Sequence, residues 1–590
     1  IWITRRQRFP HQSLPNLPVE AAALPAVSPA EADFPAEASV EAEAEAGKKR
    51  RNNMAKTFYI NGTILTMNEN SLYAEAVCVK DGRILSVGTE KEVTADKEAG
   101  DEVVDLHGKT MMPGFIDAHS HFAGAANAML QCDLSFCESF SDIIRAMKKF
   151  AEERNLTEEE WIIGRNYDQN FLKEKRHPDK SVLDEISRIN PVLIVHASSH
   201  MGVANSKALE IQGINEKTED CPGGKYGRLE NTRIPDGYME EKAFLNFQSK
   251  LPMTSVEKLM ELIVKAQTMY ASYGITTVQD GMVGKPLFQL LKCAAEKELF
   301  KLDIVGFADI TTMPDIFEKE PDYAEQYCGH FKMGGFKIFL DGSPQGKTAW
   351  TSKPYEGEGD YCGYPIYADE KLEEYIELAL QKKKQLLAHC NGDAAAEQYI
   401  TQFEKAMGKL GEKDSRRAVM VHAQLVREDQ LKRMAEMQMM PSFFVVHTYY
   451  WGDIHIRNFG QERGSQISPV KSAVKNHMKY TFHQDTPVVP PDMMRTVWSA
   501  VNRVSRSGQR IGENQRVSVM EALKAITVYA AYQYFEEKEK GTIEKGKKAD
   551  FVILSENPLE TEPEKLASVR VLTTIKENEV IYKAEELNKN

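Results

Sequence analysis

Six side chains of metal-binding type each follow a short apolar run. His119 and His121 close the segment Met111-Met112-Pro113-Gly114-Phe115-Ile116-Asp117-Ala118-His119-Ser120-His121. On a strand, alternate residues share a face, so both histidines point the same way with Asp117 beside them. Two imidazoles on one face at a strand end make half of a metal site. Lys337 lies in Gly335-Phe336-Lys337-Ile338-Phe339-Leu340-Asp341-Gly342-Ser343, where Lys337, Phe339 and Asp341 share a face. Burial disfavours the charge of such a lysine, and its neutral amine can take up CO₂ to give a carbamate, an oxygen ligand able to bridge two metals. His389 ends the run Leu386-Leu387-Ala388, His422 ends Ala418-Val419-Met420-Val421, and Asp485 follows Thr481-Phe482. Imidazole and carboxylate donors suit Zn²⁺, and Mn²⁺, Fe²⁺, Co²⁺ or Ni²⁺ are compatible.

These groups need a scaffold that gathers strand ends. Short apolar runs at Met112–Ile116, Ile275–Gln279, Leu302–Phe307, Gly335–Leu340, Gln385–Ala388, Ala418–Val421, Met440–Val446 and Tyr480–Phe482 alternate with helical segments. Eight such runs predict a (β/α)₈ TIM barrel over 114–534, with its chemistry at the C-terminal strand ends. The long gap after the first run carries its own strand and helix signals, which predicts an inserted α/β subdomain over about 125–250. Both ends of the chain are strand-rich. Residues 54–113, with hairpin turns expected at Asn61-Gly62 and Asp81-Gly82, and residues 535–590 are expected to meet in one β-sandwich.

Residues 1–53 are rich in Ala, Glu and Pro, end in a basic run and lack apolar periodicity, which predicts a disordered tail. Met54 is the expected natural start, with the preceding stretch non-native. Over 590 residues, 42% hydrophobic and 27% charged side chains describe a globular chain. A net charge of −13 argues against non-specific nucleic-acid binding. No apolar run reaches membrane-spanning length. Eight scattered cysteines without a Cys-x-x-Cys pair read as reduced thiols in a cytoplasmic protein. Cys390 is expected to face away from His389 into the core.

In their order along the chain, these groups resemble the amidohydrolase superfamily. The segments Pro-Gly-Phe-Ile-Asp-Ala-His-Ser-His and Lys-Ile-Phe-Leu-Asp-Gly-Ser, with the closing Gly-Thr-Ile-Glu-Lys-Gly-Lys-Lys-Ala-Asp-Phe-Val-Ile-Leu, resemble its amidohydrolase-3 family. That family includes the N-substituted formamide deformylases. The resemblance runs from about residue 56 to 585. It implies that His119, His121, carboxylated Lys337 and Asp485 hold one divalent cation, and Lys337, His389 and His422 a second. It also implies hydrolysis of a non-peptide C–N bond by a bridging hydroxide, with Asp485 moving the proton to the leaving amine. Many members have Gly-Ser-Asp at the last strand, where this chain has His483-Gln484-Asp485.

Asp168 and His200 resemble motifs of the inserted unit that face the active site. Asp341 and His447, the latter in an aromatic loop after the seventh run, join them as candidate substrate contacts and point to an aromatic or bulky apolar cargo. Arg503 and Arg506 read as surface helix charges rather than partners of a substrate carboxylate. A small-molecule substrate is expected, with no nucleic-acid or membrane partner, and a homodimer is left open. A deaminase or phosphoester hydrolase on the same centre is the nearest alternative. A non-catalytic binding protein that retains the fold is the more distant one.

Overall fold

A computed structural model describes residues 55–585 apart from 170, 198–200, 222, 223, 253 and 325. His200 and the expected disordered tail therefore lie outside the described residues. The centre of the fold is an eight-stranded sheet whose strands follow one another in chain order. They are β1 (Phe115–Ile116), β2 (Ile275–Val283), β3 (Asp303–Asp309), β4 (Phe331–Phe339), β5 (Gln385–Cys390), β6 (Val419–His422), β7 (Met440–Phe443) and β8 (Thr481–Phe482). All seven ladders are parallel. Parallel neighbours need crossovers, supplied here by helices such as Lys285–Glu296, Asp369–Gln381 and Asp393–Leu410. Local signals stop these helices: Asp393–Leu410 ends at Gly411, whose φ of 69° is the left-handed conformation that glycine adopts without strain.

The sheet curls. His121 N donates to Thr486 O at 2.9 Å, so the segments that follow the two edge strands touch. Along each strand one face meets the surrounding helices and the other turns inward, so both are covered and the strands read as near-continuous apolar runs. Cys390 packs with Phe336, Ile338 and Tyr399 in the large core cluster, on the face opposite its neighbour His389.

The first strand departs from the sequence expectation. The run beginning at Met112 divides at Gly114: Thr110–Pro113 pairs antiparallel with Phe551–Leu554, and only Phe115–Ile116 enters the central sheet. A Cβ on Gly114 would sit 2.5 Å from Thr276 Cγ2, so the crossing needs glycine. Met440–Val446 is likewise shorter, ending as a strand at Phe443.

Residues 131–241 form a six-stranded mixed sheet with cores of its own, around Leu134, Ile143 and Ile194 on one side and Leu193, Phe244 and Phe247 on the other. The chain ends build two further sheets. A six-stranded one joins Thr110–Pro113, Thr63–Leu65 and Tyr73–Ala74, side by side, to Phe551–Leu554, Val571–Lys576 and Glu579–Lys583. A four-stranded one holds Thr57–Ile60, Ala76–Lys80, Arg83–Gly88 and Glu102–Asp105. Tyr59, Val77 and Val79 of the smaller sheet share a core with Met111, Phe551 and Ile575 of the larger. Asp81-Gly82 forms the expected hairpin, with both φ angles positive. Asn61-Gly62 does not; it passes the chain from one sheet to the other. No described helix is long and apolar enough to cross a membrane.

Candidate metal centre

The six candidate donors converge where the strands end. Lys337 is on β4, His389 on β5 and His422 is the last residue of β6. His119 and His121 follow β1, and Asp485 follows β8. Lys337 Nζ lies 3.2 Å from His119 Nε2. Asp485 Oδ1 lies 3.3 Å from Nε2 of both His119 and His121. His389 Nδ1 and His422 Nε2 are 3.0 Å apart. His422 and Asp485 hold φ angles of 72° and 55°, in the left-handed region that side chains with a Cβ rarely adopt. Strain of this kind gathers at functional sites.

Hydrogen bonds set which nitrogen of each ring faces the centre. His119 Nδ1 donates to Gln279 Oε1 at 2.6 Å, while Gln279 Nε2 donates to Ala118 O, so the His119 lone pair is on Nε2. His389 Nε2 lies 3.2 Å from Gly342 O, which can only accept, and 3.1 Å from Asn391 Nδ2, which itself donates to that carbonyl. His422 Nδ1 bonds His483 Nε2 at 3.1 Å, and His483 Nδ1 meets Ser442 Oγ at 2.9 Å. The 3.0 Å between His389 Nδ1 and His422 Nε2 is hydrogen-bond length, so the two rings share one proton there, and a cation taking its place would meet both nitrogens.

The donor set fits divalent cations. Bonds of roughly 2.0–2.2 Å at tetrahedral angles place donors roughly 3.3–3.6 Å apart, close to the separations found. Donor atoms of His119, His422 and Asp485 all lie within 4.8 Å of one another. Asp485 Oδ1 is buried and makes no well-aligned hydrogen bond, and Asp117 Oδ2 beside it is also unpaired. An unsatisfied buried carboxylate oxygen between two imidazole nitrogens calls for positive charge.

Burial dominates the electrostatics. It pushes the Lys337 amine down to about 7, against the opposing pull of Asp485. Burial and then the Lys337 charge push His119 down to about 4 and His389 to about 3. Burial likewise holds His422 well below the ordinary histidine value. It opposes ionisation of Asp485 too, but the His119 and His121 imidazoles outweigh it and hold that carboxyl well below the usual range. The result is neutral imidazoles at His119, His389 and His422 and an amine that loses its proton near neutral pH, which is the state ligation and CO₂ uptake require.

The remaining candidates scatter. Asp341 accepts backbone N–H bonds from Trp350, Asn391 and Gly392, so it clamps the loops beside His389 rather than opening toward a substrate. Burial raises its carboxyl to about 7. Asp168 sits in the inserted unit, 3.7 Å from His196 Nε2. His447 meets Phe444 edge to face, ring centres 4.3 Å apart, and Phe444 lies 5.1 Å from the His483 ring. Arg503 is not a surface charge: it is fully buried and donates to the carbonyls of Ile467, Ser468 and Ile511. Arg506 is exposed and stacks on Phe136 and Tyr450. Sequence reasoning marked His483 as a departure beside Asp485 but missed Gln279 and Ser442 as orienting groups; the available signal was a polar side chain inside an otherwise apolar strand.

Asp303, His330 and Glu577 also lie close enough to share an ion. Asp303 Oδ2, however, is already bonded by Lys540 at 2.5 Å and Lys576 at 2.8 Å. That cluster sits at the opposite ends of the strands and has its positive charge built in.

A model of the amidohydrolase family matches residues 102–582. A putative amidohydrolase, YtcJ of Bacillus subtilis, is 29% identical over 544 residues, covering 89% of this chain and 99% of its own. An N-substituted formamide deformylase of Arthrobacter pascens is 27% identical over 550 residues, covering 88% and 97%. The crystal structure of a metal-dependent hydrolase from Pyrococcus horikoshii superposes with a TM-score of 0.70 at 24% identity, over 86% of this chain and 99% of that one. The match over most of its length places this chain in the amidohydrolase family.

Proposed function

We propose that this protein hydrolyses a non-peptide C–N bond, an amide or N-formyl group, of a small molecule. The observation that carries the reading is the unsatisfied Asp485 Oδ1, held between His119 and His121 and close to His422. The likeness to a relative named as an N-substituted formamide deformylase, nearly end to end, supports it. His119, His121, Asp485 and carboxylated Lys337 would hold one cation, and Lys337, His389 and His422 the other, with Zn²⁺ suiting the donors. Such a pair supplies Lewis acidity, lowering the pKa of water and polarising a carbonyl.

The protein's own groups handle the rest. Asp485 takes a proton from the attacking water and passes it to the departing nitrogen. Gln279 fixes the His119 tautomer, and His483 fixes that of His422. We read the curled sheet as the (β/α)₈ barrel over 114–534 with its insertion at about 125–250. Residues 54–113 and 535–590 then form the β-sandwich against it.

The test is Asp485→Asn in metal-loaded protein, assayed for amine release from a panel of N-formyl and N-acyl amines. The expected loss is roughly 10²–10⁴-fold. A wild-type rate with full metal content overturns the role of Asp485. A wild-type protein that holds metal yet releases no amine across the panel overturns the amide reading in favour of deamination or phosphoester cleavage.

A further inference from the structure

One buried imidazole pair has no part in the chemistry above. His447 follows β7, and His455 lies one helix later, in Gly452–Ser465. His447 Nδ1 and His455 Nε2 are 3.0 Å apart, and the two rings are within 15° of coplanar. That is an in-plane hydrogen bond, which shares one proton. Burial pushes both rings down, His455 to about 3, so each is neutral and carries a single N–H.

The tautomers follow from the outer nitrogens. His455 Nδ1 is sealed from solvent and has no partner. A bare buried lone pair is tolerated better than an orphaned buried N–H. The His455 proton therefore sits on Nε2 and is donated to His447 Nδ1. This forces the proton of His447 onto its own Nε2. Among the described residues nothing bonds that nitrogen, and it is not sealed as His455 Nδ1 is.

The surroundings place this ring in the site. The His447 ring packs against Phe444 at 4.3 Å and Trp451 at 4.4 Å. Phe444 is in turn 5.1 Å from His483 and 5.8 Å from His422. A fixed donor is thus set in an aromatic wall, one ring's width from the metal centre and on the same side of the sheet. Resting on the hydrolase reading for its setting, we propose that His447 determines specificity. Its Nε2–H binds an acceptor atom, a carbonyl or ring nitrogen, on a flat aromatic substituent that lies along Phe444 and Trp451. His455 is the positioning residue that fixes the donor.

The substrate class is then an N-formyl or N-acyl amine whose amine part is an arene bearing an acceptor. The test compares formanilide with its ring-nitrogen analogues, the N-formylaminopyridines, on the metal-loaded protein. The wild type is expected to favour at least one pyridine isomer by roughly 3- to 10-fold in kcat/KM, the worth of one hydrogen bond, with the difference in KM. His447→Phe keeps the flat ring and removes the donor, so the ratio falls to about one. His447→Gln returns a donor and part of the ratio, and His455→Phe lowers it without touching substrate. Calorimetric affinities for aminopyridine against aniline read the same contact without turnover. If no compound is turned over but the affinity ratio is present and lost in His447→Phe, the hydrolase reading fails and the His447 assignment stands. Equal ratios in wild type and His447→Phe, or no preference for any isomer, overturn the assignment.

Discussion

His422 and Asp485 show how much work a single residue does in this centre. Each sits in a left-handed conformation that its Cβ disfavours, and each sends its functional atom to the same small volume. His422 reaches that volume with Nε2 because Nδ1 is taken by His483, which is itself anchored on Ser442. Replacing His483 by phenylalanine keeps a ring in the space but frees the His422 tautomer. We expect His483→Phe to weaken metal binding by roughly 10- to 100-fold, read by competition with a chromogenic chelator. Unchanged affinity would mean that backbone geometry alone orients His422. At this scale the sequence was most legible where residue type and position coincide: a histidine, lysine or aspartate after an apolar run. It was least legible for His483 and Arg503. Whether a polar side chain folds back on a ligand, or on backbone carbonyls such as those of Ile467 and Ser468, depends on neighbours more than thirty residues away.

Among the elements, the strands have two ends with different tasks. The C-terminal ends carry the candidate donors, whereas the N-terminal ends of β3 and β4 begin with Asp303 and, one residue in, Lys332. Asp303 is fully buried and bonded by Lys540 and Lys576, and Lys576 also bonds Asp550 at 2.8 Å. Lys332 and Lys540 share Glu536. These bonds tie the central strands to the C-terminal segment and the sheet it completes. Removing one partner strands buried charge, so Asp303→Asn is expected to lose about 3–5 kcal/mol in a denaturant titration. A loss under 1 kcal/mol would show that water reaches the lysines. Burial opposes the ionised forms of Asp303 and Glu536, but the lysines win and depress both, Glu536 to about 2 from an ordinary 4.5. A depressed carboxylate stabilises the fold fully above its ordinary value. That contribution is lost as pH falls from about 4.5 toward 2, the window in which acid unfolding should be steepest. The alternation of strand and helix was readable from periodicity, but the splitting of the first strand at Gly114 was not. An apolar run carries no mark of the point at which it leaves one sheet for another.

For the molecule as a whole, one centre draws on groups from residue 119 to residue 485, supplied by β4, β5, β6 and the segments after β1 and β8. The ladders fix each strand only to its neighbours, and the segments after the two edge strands meet through bonds such as His121 N to Thr486 O. Cations gripped by donors from both edges would add cross-links exactly where the ladders stop, so occupancy and stability are coupled. Without them, Asp485 Oδ1 and Asp117 Oδ2 stay buried and unpaired. A ligand that binds only the folded state stabilises it by about 2.7 kcal/mol at 100 times Kd and about 1.4 kcal/mol more for each further tenfold. In metal-buffered solutions the thermal midpoint should therefore climb with the logarithm of free metal, and a chelator should lower it reversibly. Asp303→Asn, altered at the far end of the strands, should begin from a lower midpoint and climb with the same slope, because its defect is independent of the donors. A midpoint insensitive to free metal would mean that the curled sheet closes on its own packing and that the donors do not hold a cation in the folded state.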